Sequence, residues 1–160
     1  MSSELKVLLT REQIAARIAE LGGQIARDFA GEPVVLIGVL KGAAIFLGDL
    51  ARQIALDATF DFISVSSYGH QKLHSGEVKL LKDVDHSMEG RNIILVEDIL
   101  DTGLTVSYLK KMLLARHPRE FRIAACSITH VTESRSHKPR NARLRSQRNL
   151  RILSVTILAP

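Results

Sequence analysis

The chain has 160 residues, 46% of them hydrophobic and 24% charged, a net charge of +5 and a single cysteine. One domain with a sizeable core is the expectation at this length. No apolar run reaches the 18 residues of a membrane span. The N-terminal stretch MSSELKVLLTREQ carries no basic-then-apolar export pattern, and a lone Cys126 has no partner for an internal disulfide, which fits a reducing cytoplasm.

In chain order, TREQIAARIAELGGQIARDFAG spaces Ile14, Ile18, Leu21 and Ile25 at helical intervals. Thr10 stands ready to cap that helix and Gly31 to stop it. PVVLIGVL is β-branched without alternation, the pattern of a strand buried on both faces. GAAIFLGDLARQIA predicts a second helix. TFDFISVSSYG alternates and ends at Gly69, and EVKLLKD is a short strand after a flexible connection. NIILVED is another buried strand, with Val96 expected as its last sheet residue. TVSYLKKMLLARH predicts a helix stopped near Pro118. FRIAACSI is a further buried strand, with Cys126 expected in the core. Strands alternating with helices predict an α/β fold with a mainly parallel sheet flanked by helices. Ligands then bind at the carboxyl ends of the strands.

Three loops fall on that edge. In IILVEDILDTGLT, Glu97 and Asp98 leave a greasy strand and a hydroxyl-rich turn follows. Gly103 permits a sharp bend whose N–H groups form an anion nest, and the next helix adds its positive end. Thr102 and Thr105 offer hydroxyls. The turn suits a phosphate monoester, and the acids suit diol hydroxyls or a divalent cation. The same residues would also serve as a strand end, a polar turn and a helix cap. VLKGAA places Lys41 and Gly42 at a strand end that opens a helix, a place for a pyrophosphate or for a solvated lysine. SSYGHQKLHSGEVKLLKD reads as a mobile lid. Its His70 and His74 lack a third ligand, so no metal site is expected there.

VLIGVLKGAAIFLGDLAR, VSSYG, SGEVKLLKD and MEGRNIILVEDILDTGLT together resemble the hypoxanthine(-guanine) branch of the type I phosphoribosyltransferase family, over roughly residues 5–128. The resemblance implies transfer of a 5-phosphoribosyl group from phosphoribosyl pyrophosphate to N9 of a 6-oxopurine, in a cytoplasmic homo-oligomer (dimer or tetramer). It implies Mg²⁺ and ribose hydroxyls at Glu97 and Asp98, and a general base at Asp101. It places the 5′-phosphate at Thr102, Gly103, Leu104 and Thr105. It places pyrophosphate at Leu40, Lys41 and Gly42, with a cis peptide before the lysine, and assigns Ser67 and Tyr68 to the lid.

After Ile128 the resemblance stops. The family's L-x-K-P-S-R-R, D-Y-V-G-F-E-I and F-V-V-G-Y-G-L-D-Y elements, which build the purine-binding hood, are missing. The hood is therefore expected to be incomplete, with a core over 1–131 and an atypical basic tail over 132–160. That tail holds seven Lys or Arg against one acid, so it carries +6 and the rest of the chain −1. It has no Gly, Asp or aromatic residue. A one-base shift of the implied codons permits Leu-Leu-Thr-Ser-Pro-Ser-Arg from Ile128 and Asp-Tyr-Val-Ala-x-Glu-Ile from Arg143, so a frameshifted tail is the expectation. Residues 133–149 are expected to be poorly ordered. The run 150–158 is expected to dock as an edge strand or to stick to another chain. The alternatives are a nucleotide-binding regulatory relative, an inactive homologue, or a phosphoribosyltransferase for another base such as xanthine or a pyrimidine. The tail offers no aromatic for base stacking, which argues against nucleic acid as a partner.

Overall fold

The structure, a computed structural model, describes residues 10–67, 78–100, 104–128 and 152–154. Helix α1 spans Arg11–Phe29, strand β1 Val34–Leu40, helix α2 Ala43–Ala51 and strand β2 Ala58–Ser67. Strand β3 spans Val78–Lys82, β4 Asn92–Leu100, helix α3 Leu104–Leu114, β5 Glu120–Ile128 and β6 Ile152–Ser154. The six strands form one sheet in the order β3-β2-β1-β4-β5-β6. All neighbours run parallel except β2 and β3, which are antiparallel with an irregularity between Ser64 and Val65.

Two cores follow from strand alternation, because successive side chains point to opposite faces. On one face Val34, Leu36, Ile94, Val96 and Ala124 meet Ile18, Leu21 and Ile25 of α1 and Phe46, Leu47 and Leu50 of α2. On the other, Val35, Ile37, Ile93, Leu95 and Ile123 meet Leu109 and Leu113 of α3. A strand covered on both sides has no polar face, hence the unbroken β-branched runs of β1 and β4. Gly38 marks a close approach of helix to sheet: a Cβ there would lie 2.7 Å from Leu47 Cδ1.

The start of α1 matches its sequence. The Thr10 side chain accepts the Gln13 N–H at 3.2 Å, and the Gln13 side chain accepts the Thr10 N–H at 2.8 Å, a reciprocal capping box. Gly31 lies past the end of the helix, as expected. Ala30 takes the left-handed conformation (φ 49°) and closes onto Arg27, and Gly31 follows at φ 86°. Helix α2 ends at Ala51, short of the expected Ala55. Arg122, only 7% exposed, pairs with Asp28 and Glu120 and lies 4.5 Å over the Phe29 ring, tying the end of α1 to β5.

The β2–β3 pair is pinned by a charged cluster. Asp61, 11% exposed, accepts the N–H groups of Phe62 and Asp85 at 2.7 Å each. Lys82 Nζ reaches Asp61 at 3.5 Å and donates to the Phe62 carbonyl at 3.0 Å and to Asp85 at 3.2 Å. At the opposite edge, β6 pairs with β5 from Ile123↔Ile152 to Ala125↔Ser154. These three residues fall inside the run expected to dock as an edge strand. The segment 133–149 lies outside the described residues.

Candidate active site

Along β4 the burial changes abruptly. Asn92 through Val96 are buried, Glu97 and Asp98 are half-buried, Ile99 is exposed and Leu100 is buried again. Val96 is not the last sheet residue: pairing with β5 continues through Ile99↔Ser127 and Leu100↔Ile128. The acids therefore sit on a strand rather than in a turn, held by the ladder beneath them. Asp98 meets the turn that opens α2, and its carboxyl group lies close enough to that of Glu97 to interact.

That interaction sets the charge of the pair. Burial first, then the Asp98 charge and a hydrogen bond with it, push Glu97 up to about 8. Near neutral pH the Glu97 carboxyl thus keeps its proton. One Glu97 oxygen, Oε2, is buried without a hydrogen-bond partner. Such an atom costs stability unless something binds it.

The β1–α2 connection is two residues, Lys41 and Gly42, and it faces Asp98. The Leu40–Lys41 peptide is cis, as the family resemblance implies. Gly42 has ordinary helical dihedrals (φ −57°, ψ −48°), so its requirement is spatial: a Cβ there would run into the Asp98 carboxylate. Asp98 Oδ1 also accepts the Ile99 N–H at 2.8 Å. Lys41 is exposed at the start of α2, where the helix adds positive potential.

The structure thus brings Leu40, Lys41, Gly42, Glu97 and Asp98 together. Leu104 and Thr105 open α3, with Leu104 exposed. Ser67 closes β2. Its side chain, and Tyr68, His70, His74, Asp101, Thr102 and Gly103, lie outside the described residues. Cys126 departs from expectation. It is half-buried at the edge of the first core, and burial, then the Asp98 charge, push its thiol up. The Asp61–Lys82 cluster was not anticipated; its signal was an acid placed inside the alternating DFISV run.

Among the described residues no group of three or more His, Cys, Asp or Glu is arranged to hold a metal. Mg²⁺ asks for less, because it is usually held by one or two carboxylates together with substrate phosphates and water. The Glu97–Asp98 pair, with one orphaned buried oxygen, fits that demand.

Among the described residues no helix is long and apolar enough to cross a membrane. The chain matches the family model of the phosphoribosyl transferase domain over residues 5–144. It is 50% identical over 135 residues to the hypoxanthine-guanine phosphoribosyltransferase of Mycobacterium avium, a match covering 81% of this chain and 66% of that one. The chain spans 61–66% of the length of such curated relatives. A crystal structure of the hypoxanthine-guanine phosphoribosyltransferase of Bacillus anthracis superposes with a TM-score of 0.74 at 45% identity, covering 80% of this chain and 76% of that one. The hypoxanthine phosphoribosyltransferase of Trypanosoma cruzi, in complex with its product IMP, gives 0.71 at 38%, covering 79% and 74%. With the doubly covered parallel sheet and the acid pair at its carboxyl edge, this match over most of the chain makes it a member of the phosphoribosyltransferase family.

Proposed function

We propose that the chain moves a 5-phosphoribosyl group from phosphoribosyl pyrophosphate to hypoxanthine, and to guanine as well, in the cytoplasm. The C1–O bond to pyrophosphate breaks, the bond to purine N9 forms, and the purine proton goes to Asp101. The observation that carries this reading is the Glu97–Asp98 pair set against the Lys41–Gly42 turn, with one buried oxygen left unpartnered. Lys41 and the amino end of α2 receive the pyrophosphate. Glu97 and Asp98 hold the ribose hydroxyls and the Mg²⁺ shell. Thr102, Gly103, Leu104 and Thr105 enclose the 5′-phosphate, and Ser67 and Tyr68 help to close the site against water. Mg²⁺, when bound, offsets the charge of the departing pyrophosphate. The chain works as a homo-oligomer.

The tail shapes the rate. Residues 132–160 contain neither an aromatic residue to stack on a purine nor an aspartate. Turnover by the chain as written is therefore weak, while binding of phosphoribosyl pyrophosphate persists; a chain that only binds is the second reading. Restoring the reading frame near codon 128 is expected to raise turnover. The deciding assay measures IMP and GMP formation by both versions, with Mg²⁺ and with EDTA, beside the melting temperature with phosphoribosyl pyrophosphate and Mg²⁺. Product from the restored chain, abolished by EDTA, supports the reading. No product from either version and no thermal shift at millimolar ligand would overturn it.

A further inference from the structure

Strands β4 and β5 pair with Glu97 beside Ala125 and Ile99 beside Ser127, so Asp98 comes to lie beside Cys126. Neighbouring strands run about 4.8 Å apart. Ile94, Val96, Ala124 and Cys126 all pack on the face covered by α1 and α2. Asp98, two residues beyond Val96, falls on that same face. On its other side the carboxylate meets the turn so closely that Gly42 has no room for a Cβ. Behind it, Oδ1 accepts the Ile99 N–H at 2.8 Å. The carboxylate is thus set against a glycine and its own backbone, with a half-buried cysteine at the neighbouring position of β5.

We propose that Cys126 is a positioning residue for Asp98: its small side chain fills the space beside the carboxylate and keeps it seated against the Lys41–Gly42 turn. The consequence for ligand binding rests on the function proposed above; the packing relation does not. A branched side chain at 126 overfills a row that is closed on its far side by Gly42. A hydroxyl of similar shape leaves the row intact. The sole cysteine of the chain is then kept for its size, at the edge of the site, and not for nucleophilic chemistry.

The test is a double-substitution cycle in the full chain: Cys126→Val and Cys126→Ser, each with Asp98 present and with Asp98→Ala. Melting temperatures are read without ligand, and affinity for phosphoribosyl pyrophosphate with Mg²⁺ by calorimetry. Contacting residues are not additive, so Cys126→Val is expected to lower the midpoint by about 4 °C with Asp98 present and by less than about 1 °C without it. Cys126→Ser is expected to stay within about 1 °C in both backgrounds. With Asp98 present, the valine variant should bind about tenfold more weakly and the serine variant less than twofold. Equal thermal penalties in the two backgrounds would overturn the proposal, since they would make Cys126 ordinary core packing. A wild-type chain that binds no phosphoribosyl pyrophosphate would remove the proposed function, and the thermal cycle would still decide the positioning role. Cys126→Thr runs the same cycle should the valine variant not fold.

Discussion

Asp61 and Glu97 are both acids in strands of one sheet, and their surroundings treat them in opposite ways. Asp61 is more closed off from solvent than most acids, at 11% exposure, yet its pKa is lowered. Burial alone would raise it; the N–H groups of Asp85 and Phe62 and the Lys82 ammonium outweigh that. Among the described residues Glu97 has no such donors. Burial and the neighbouring Asp98 push it up to about 8, and one oxygen has no partner. Burial by itself therefore does not decide an acid's charge; the donors aimed at it do. A satisfied acid such as Asp61 fastens the fold, and an unsatisfied one such as Glu97 costs it stability.

Substitutions can break or sharpen that contrast. The largest effect belongs to a third acid, Asp101, proposed to take the purine proton. Asp101→Asn is expected to lower turnover by about 10²–10⁴-fold in an active form, with little change in affinity for phosphoribosyl pyrophosphate. Steady-state rates beside calorimetric titration check this, and equal losses in both would reassign Asp101 to structure.

Next comes Asp61. Asp61→Ala strands the Phe62 and Asp85 N–H groups and removes a partner of Lys82. It is expected to destabilise by about 2–3 kcal/mol in urea unfolding at pH 7. Because the folded pKa is lowered, this stability is present above the unfolded acid's range and is lost as pH falls through the folded value. The gap between variant and wild type should narrow as pH falls below 3.8. A gap that stays constant with pH would show that the ionised form of Asp61 does not matter.

Glu97→Gln should act with the opposite sign and a smaller size. A raised folded pKa means the folded state holds a proton the unfolded state has released. Stability then falls as pH climbs from the unfolded value near 4.5 to about 8, and levels off above. The glutamine variant escapes that fall. It is expected to match wild type near pH 4 and exceed it by about 1–2 kcal/mol near pH 8, an amount reduced because the group is only half-buried. It should also lose affinity for phosphoribosyl pyrophosphate with Mg²⁺. Unfolding curves at pH 4, 6 and 8 separate the outcomes; identical pH dependence in both proteins would mean that folding leaves the Glu97 pKa unshifted. Smallest of all is the surface pair Arg17–Glu20, with both side chains largely exposed. Glu20→Gln should change stability by under about 0.5 kcal/mol.

The sequence made some of this contrast plain and hid the rest, for physical reasons. Unbroken β-branched runs announced β1 and β4 because both faces of those strands are covered. The Thr10–Gln13 cap was readable because its partners are three residues apart. Two adjacent acids looked like the end of a strand, but pairing with β5 carries β4 on to Leu100. Backbone hydrogen bonding, which no side-chain pattern encodes, won there. Cys126 sits in an apolar run and was expected in the core; it packs against the first core but is half-buried. The Asp61 cluster joins β2 to residues about 20 positions away in sequence, beyond the reach of any local pattern. The Glu97–Asp98 and Lys41–Gly42 pairs were visible as separate loops, and their meeting follows from β1 and β4 being neighbours in the sheet.

The two-residue link between β1 and α2 has a kinetic consequence. Gly38 lets α2 press directly onto the sheet, and Gly42 is wedged against Asp98, so the link has slack at neither end. On the proposed function, a ligand docking there finds its groups already in place and loses little to the freezing of loops and rotamers. Association through this part of the site should be a collision-limited step, insensitive to solvent viscosity beyond the diffusion term, with selectivity between anions expressed in how slowly they leave.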